Sequence, residues 1–218
     1  MPELRILVAD DHELVRRGIR ALLEAEPGWK VVAEVSDGHE AIERAVDLKP
    51  EIAVLDISMP RLSGLEAARR IKKLLPQTKV LILTMLDSEH LAWEVLKAGA
   101  RGYVTKSDTG RDLVIAIESV RRDKTFFTPR VDRILLDTFL LGKPAKSPKE
   151  LDGEQLTSRQ REIVQLLAEG KTSKEVSGVL NLSVKTIETH RANIMRRLNC
   201  HSVSDLVRYA VRNHIIQA

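Results

Sequence analysis

Five short apolar runs, each separated from the next by a stretch of helical periodicity, constrain this chain more than any other feature. Arg5–Ala9 runs into Asp10-Asp11, Lys30–Val35 follows, Glu51–Leu55 ends at Asp56, Val80–Thr84 closes on its threonine, and Gly102–Thr105 ends at Lys106. Runs this short and rich in β-branched residues read as strands, and the patterns between them have the length of βα crossovers. Punctuation agrees. Ser63-x-x-Glu66 and Asp37-x-x-Glu40 read as capping boxes, Pro76 stops a helix, and Gly28 and Gly99 fall where helix C-terminal glycines belong. Strands that alternate with helices in this way form a parallel sheet covered on both faces. The expected fold is a flavodoxin-like α/β domain with a doubly wound, parallel, five-stranded sheet.

The polar residues sit at the carboxyl ends of the strands, where doubly wound sheets carry their sites. In the order 2-1-3-4-5 the topological switch point lies between strands 1 and 3. Asp10, Asp11 and Asp56 converge there. Three carboxylates at one point repel each other and call for a cation, and an all-oxygen set suits Mg²⁺. A carboxylate can also attack phosphorus to give an aspartyl phosphate. Lys106 and the Thr84 hydroxyl, at the ends of the neighbouring strands, would neutralise and bond the phosphoryl oxygens.

Asp10-Asp11, Asp56-x-x-Met59-Pro60-x-x-x-Gly64, Thr84 and Gly102-Tyr103-x-x-Lys106 together resemble the receiver domain of two-component response regulators, over residues 1–125. The resemblance implies that Asp56 accepts a phosphoryl group from a sensor histidine kinase. It implies a Mg²⁺ site made by Asp10, Asp11, Asp56 and the backbone carbonyl of Ser58. It also implies a switch pair, in which the Thr84 hydroxyl moves to the phosphate and the Tyr103 ring rotates inward.

Charge separates a second region from the first. Residues 1–140 carry 22 Lys and Arg against 23 Asp and Glu, net −1, whereas residues 141–218 carry 13 against 8, net +5. Between them, residues 141–155 hold two prolines, two glycines and few apolar side chains. Residues 126–155 are therefore expected to be a helical extension and linker, and 156–218 a small all-α domain of four helices. Thr157-x-x-Gln160, Thr172-x-x-Glu175, Ser183 and Ser202-x-x-Asp205 mark four helix starts, and Gly170 closes the first helix. Only Asn181–Ser183 separates the second helix from the third, the spacing of a helix-turn-helix. In the third helix Val184, Ile187, Ile194 and Leu198 form the expected packing face, and the helix carries Lys185, Arg191, Arg196 and Arg197 against Glu188. A basic exposed face neutralises DNA phosphates.

Leu156-Thr-x-Arg-Gln-Arg-Glu162, Gly170-Lys-Thr-Ser-Lys-Glu175 and Ser183 through Leu198 resemble the LuxR-type helix-turn-helix. Joined to a receiver, this is similar to the NarL/FixJ class of response regulators. The class implies a transcription factor that binds promoter half-sites in double-stranded DNA, as a homodimer when phosphorylated. By position, base contacts fall to Glu188, Thr189 and Ala192, and phosphate contacts to Thr172, Lys185, Thr186, His190, Asn193 and Arg196. Ser177-Gly178 departs from the pattern, because the scaffold helix there usually has alanine and a larger residue.

Other classes fit less well. Gly170-Lys171-Thr172 ends like a P-loop, but Gln165 replaces the first glycine and the segment joins two helices. An Asp-nucleophile phosphatase needs a second acid two residues on, where Ser58 stands. The chain is expected not to be an enzyme, beyond slow autodephosphorylation. A receiver that only docks partners, or a constitutive DNA binder, is the alternative. His12 reads as a helix-start residue rather than a metal ligand. The one cysteine, Cys200, suits a reducing cytosol, and no signal-peptide pattern opens the sequence. The longest stretch without Asp, Glu, Lys or Arg is nine residues, Val176–Val184, whereas a membrane span needs about 20. A cytoplasmic location without membrane contact is expected.

Overall fold

The computed structural model describes residues 3–85, 89–107, 109–127 and 156–216. Contacts divide the chain into two compact units, Met1–Ile134 and Leu135–Ala218. The expected helical extension and linker lies outside the described residues, apart from Phe126 and Phe127. Among the described residues no helix is long and apolar enough to cross a membrane.

The first unit alternates strand and helix as the runs require. Its strands are β1 (Leu4–Ala9), β2 (Trp29–Val35), β3 (Ile52–Asp56), β4 (Lys79–Thr84) and β5 (Gly102–Thr105). Its helices are α1 (Glu13–Glu24), α2 (Gly38–Leu48), α3 (Gly64–Leu74), α4 (Glu89–Lys97) and α5 (Thr109–Arg121). The strands form one parallel sheet in the order β2-β1-β3-β4-β5. Every residue of β3 is buried, as expected for the central strand of a sheet covered on both sides. Contacts join α1 to α5, and α2 to α3. The core packs Leu4, Ile6 and Val8 with Ile19, Leu23, Leu113 and Ile117, each such side chain contributing about 1.5–3 kcal/mol by leaving water.

Side-chain capping sets the start of α2 but not of α1, where His12 makes no side-chain cap bond, and the expected box at Asp37 is half-formed, since Glu40 accepts the Ser36 amide instead. Asp37 caps α2 by accepting from the His39 and Glu40 amides at 2.7 and 3.1 Å. Ser63 precedes α3 but makes no side-chain cap bond. The expected box fails because Glu66 is drawn inward to 2% exposure and faces Arg69 and Arg70 at 3.4 Å each. Phe126 and Phe127 do not leave the unit as connecting segment. Phe126 forms a parallel bridge with Gly102, and Phe127 is buried.

The second unit holds α6 (Ser158–Ala168), α7 (Ser173–Leu180), α8 (Val184–Arg197) and α9 (Val203–Arg212). Thr157 with Gln160, Thr172 with Glu175 and Ser202 with Asp205 all close reciprocal capping boxes, and Ser183 caps α8 through the Thr186 amide. Bonding to the Ser202 hydroxyl, the His201 amide and Arg208 holds Asp205 down at about 2. Asn181 closes α7 in the left-handed region at φ 54°, which turns the chain directly into α8. Ile163, Leu166, Val176, Ile187, Ile194 and Leu206 make the core, with Leu182 and Leu198 packed at its edge. Val184 corrects the expected packing face: it is 39% exposed. As the first residue of α8 it precedes the face that reaches the core, which begins one turn later at Ile187.

Candidate functional site

The carboxyl edge of the sheet gathers a buried set of charges. Asp10 follows β1 and Asp56 ends β3, at 0% and 1% exposure. Lys106, just beyond β5, places Nζ 2.8 Å from Asp10 Oδ2 and 3.0 Å from Asp56 Oδ2. The other oxygen of Asp10 accepts the His12 amide at 2.8 Å. The Arg16 guanidinium donates to the Asp10 carbonyl at 2.6 Å, which fixes the end of β1 from α1. Asp56 Oδ1 is buried and lacks a hydrogen-bond partner among the described residues. Asp11 lies toward solvent with His12 Nδ1 2.7 Å away, and ligand atoms of Asp10, Asp11, His12 and Asp56 fall within 4.8 Å of one another.

Three carboxylates against one ammonium leave this site anionic. Burial pushes the Asp56 carboxyl above its ordinary range, attraction to Lys106 opposes that, and repulsion from Asp10 and Asp11 adds to it. Burial alone would lower Lys106, but its bonds to Asp10 and Asp56 outweigh the burial and hold it above ordinary lysine. A buried acid with an unsatisfied oxygen beside two more acids fits a hard divalent cation bound through oxygen.

The switch residues expected from sequence border the same edge. β3 pairs Asp56 with Leu83, so Thr84 stands one residue beyond the acid on the neighbouring strand. Thr84 is 3% exposed, and its carbonyl accepts the Lys106 amide at 2.7 Å. Tyr103 is fully buried, and its ring meets Phe127 edge-on at 6.1 Å. Ser58 is half-buried in the loop after β3. His12 occupies the N-cap of α1, as expected, and its ring also belongs to the cluster of possible ligand atoms with Asp10, Asp11 and Asp56.

Two further residues support this site, Gly64 of the Asp56-to-Gly64 motif and Arg61, which the sequence did not single out. A Cβ on Gly64 would lie 1.9 Å from the Asp56 carbonyl oxygen, so only glycine lets α3 approach the acid's backbone. Arg61, in the left-handed region at φ 65°, pairs with the buried Asp37 and lies 3.5 Å from Glu40. It ties the loop after Asp56 to the start of α2.

All the expected DNA residues but Thr172 lie on one helix of the second unit, α8. Lys185, Glu188, Thr189, Ala192, Asn193 and Arg196 are exposed on α8, and Thr186 and His190 are half-buried there. Thr172 is exposed at the N-cap of α7. Three of the expected hydroxyls are engaged locally. Thr172 donates to Glu175 at 2.8 Å, Thr186 and Ser183 share a bond of 2.8 Å, and Thr189 donates to the Lys185 carbonyl at 2.9 Å. The scaffold beneath is braced by Arg159, which pairs with the buried Glu162 at 2.9 Å and donates to the Leu180 carbonyl at 2.8 Å.

The comparisons with known proteins follow this division. The family of response regulator receiver domains matches residues 6–118, and the luxR family of bacterial regulatory proteins matches residues 154–210. The oxygen regulatory protein NreC of Staphylococcus epidermidis is 35% identical over 98% of this chain and 100% of its own length. NreC of Staphylococcus carnosus is 36% identical, covering 98% and 99%. Among solved structures, the two-component response regulator RcsB in complex with DNA is similar with a TM-score of 0.62 and 27% identity, covering 95% of this chain and 98% of that one. The acidic strand-end site in one unit and the basic exposed helix in the other thus have one family behind them: the chain is a response regulator of the NarL/FixJ class, a two-component transcription factor that joins a receiver to a LuxR-type helix-turn-helix.

Proposed function

We propose that Asp56 is the phosphoacceptor and that its phosphorylation by a sensor histidine kinase controls how the second unit binds DNA. The observation that carries this reading is Asp56 itself, 1% exposed at the end of β3, with one oxygen facing Lys106 at 3.0 Å and the other unpartnered. A carboxylate oxygen of Asp56 attacks the phosphorus of a phosphorylated histidine. A P–O bond forms as the P–N bond breaks, and the leaving imidazole keeps the electron pair and takes up a proton. Lys106 stands where it neutralises the oxygens of the incoming group. Thr84, at the end of β4, supplies a hydroxyl to them. Asp10, Asp11, Asp56 and the Ser58 carbonyl would hold Mg²⁺, which supplies the further positive charge that phosphoryl transfer requires.

In the second unit, α8 enters the major groove with Glu188, Thr189 and Ala192 toward base edges. Thr172, Lys185, Thr186, His190, Asn193 and Arg196 contact phosphates. Because the Thr172, Thr186 and Thr189 hydroxyls are already bonded within the protein, Lys185 and Arg196 supply most of the attraction to the backbone. RcsB is described as a pair of dimers on two parallel DNAs, and a homodimer of this chain on two half-sites is the corresponding reading. The protein acts in the cytoplasm as a switch and not as an enzyme. It returns to its resting state by slow loss of the phosphoryl group.

Intact mass tests the acceptor. With Mg²⁺ and acetyl phosphate, wild type gains one phosphoryl group and Asp56→Asn gains none. Light scattering on the same samples shows a dimer only where the mass has risen. No gain in wild type with several small donors would leave a docking receiver or a constitutive DNA binder.

A further inference from the structure

We propose that Phe127 is a positioning residue for Tyr103, and that the Phe126–Phe127 segment is the output latch through which the receiver's switch reaches the chain leading to the DNA-binding unit. The proposal rests on the reading of Asp56 as phosphoacceptor and of Thr84 and Tyr103 as its switch pair.

The segment after α5 closes back onto the sheet's edge. The Phe126 amide donates to the Arg101 carbonyl at 3.0 Å, and the Tyr103 amide donates to the Phe126 carbonyl at 3.1 Å. The two bonds flank Gly102, where a Cβ would lie 2.0 Å from the Phe126 oxygen. Glycine there permits the bridge, and any side chain would prevent it. Phe127 then lays its ring edge-on to Tyr103, with 70° between the planes, a favoured geometry for an aromatic pair.

What lies on each side of this contact makes it a relay. Upstream, the end of α5 is anchored: Lys79 of β4 donates to the Arg121 carbonyl at 2.8 Å and pairs with Asp123 at 2.9 Å. The pivot is therefore the left-handed turn at Asp123, φ 61°, and residues 125–127 are the part that responds. On the other side, Tyr103 pairs with Ile82 on β4, two residues before Thr84. When the Thr84 hydroxyl turns toward a phosphate on Asp56, the Tyr103 ring follows into the space vacated. It thereby withdraws from Phe127 and weakens the bridge that Phe126 makes. The energy at stake is one aromatic contact and two edge hydrogen bonds, small enough for a phosphorylation-driven population shift to overcome. Linkage requires the converse: removing the Phe127 ring favours the same released state without phosphate.

Amide hydrogen exchange on the full chain tests this, read at Phe126, Tyr103 and Lys106 with and without acetyl phosphate and Mg²⁺. In wild type, phosphorylation accelerates exchange at Phe126 by about threefold or more, alongside a change at Lys106. In Phe127→Ala the unphosphorylated chain exchanges at Phe126 as fast as phosphorylated wild type, so the ratio between the two states falls toward one. Phe127→Tyr keeps the edge contact and restores the ratio. A merely structural role for Phe127 would speed exchange in both states and leave their ratio unchanged, and that result overturns the proposal. So does a wild-type response at Lys106 with none at Phe126, a measurement that stands even if Phe127→Ala fails to fold. If neither amide responds and intact mass shows no phosphoryl gain, the phosphoacceptor reading has failed and takes the latch with it.

Discussion

The two units hide and display their functional groups in opposite ways. In the receiver the charges of the proposed phosphoacceptor site are inside: Asp10 and Asp56 are at most 1% exposed, and the Lys106 side chain is 10% exposed. In the helix-turn-helix unit Lys185, Glu188, Asn193 and Arg196 stand on the exposed face of α8, while Ile187 and Ile194 hold that helix to its core. A site that transfers a phosphoryl group must be dry enough for charge to act strongly, so it is built from the fold's own interior. A site that reads DNA must project into a groove, so its scaffold and its reading face are separate residues. The receiver therefore couples function to folding, and the second unit does not.

Gly64→Ala tests that coupling most severely. The added methyl meets the Asp56 carbonyl oxygen, backbone that cannot rotate away. Denaturation should show a loss of about 3 kcal/mol, the upper range for an overpacked core, and intact mass should show phosphoryl uptake abolished. Stable folding with normal uptake would break the link between Asp56 and α3.

Lys106→Met comes next. It leaves Asp10 and Asp56 facing each other in the interior without a cation, which costs about 3 kcal/mol at neutral pH. Adding Asp56→Asn removes one of the two charges and should recover most of that loss. The pH dependence has a definite sign. Asp56 is raised above its ordinary 3.8 in the folded state, so its contribution to stability is present below about 3.8 and is lost as pH rises through the folded value. Relative to Asp56→Asn, wild type should weaken as the pH is raised from 4 to 7 in denaturant titrations. A difference that shrinks over that range would contradict the burial-driven shift.

Much of this was legible in the chain because strand ends are local events. An apolar run that stops at Asp10, Asp56, Thr84 or Lys106 shows both the strand and the residue it delivers, and parallel order then brings those residues to one edge. Four of the five strands, each read as a run of like residues, begin within one residue of the expected start, and the fifth at the start itself. The three boxes of the second unit were legible for the same reason, since each involves groups three residues apart. What stayed hidden depends on partners far along the chain. Gly64 and Gly102 stood in the motifs, but the reasons for them, the carbonyls of Asp56 and Phe126, did not, and Arg61 with its partner Asp37 was not marked at all. Ser63 misled because a capping box needs a solvated acid, and tertiary packing drew Glu66 inward to Arg69 and Arg70.

The exposed face of the second unit should give smaller effects that leave folding untouched. Lys185→Ala and Arg196→Ala each remove one proposed phosphate partner. On a duplex of arbitrary sequence, each should lower the slope of log affinity against log salt by about 1. The unfolding midpoint should stay where it was. A shifted midpoint would mean that reading face and scaffold are not separate.

Gly178→Ala gives the smallest effect and sets the contrast most cleanly, since it is the same substitution as at Gly64. Gly178 lies within α7, two residues before its end, and a Cβ there would meet nothing within 4 Å. No contact is gained or lost, so the change acts through the backbone: alanine lowers the conformational entropy of the unfolded chain and favours the helix by about 1 kcal/mol. The helical unit should unfold at higher denaturant, with the receiver's transition and phosphoryl uptake unchanged. Destabilisation instead would mean that the added methyl meets a neighbour in the DNA-free protein, against the open space beside Gly178 among the described residues.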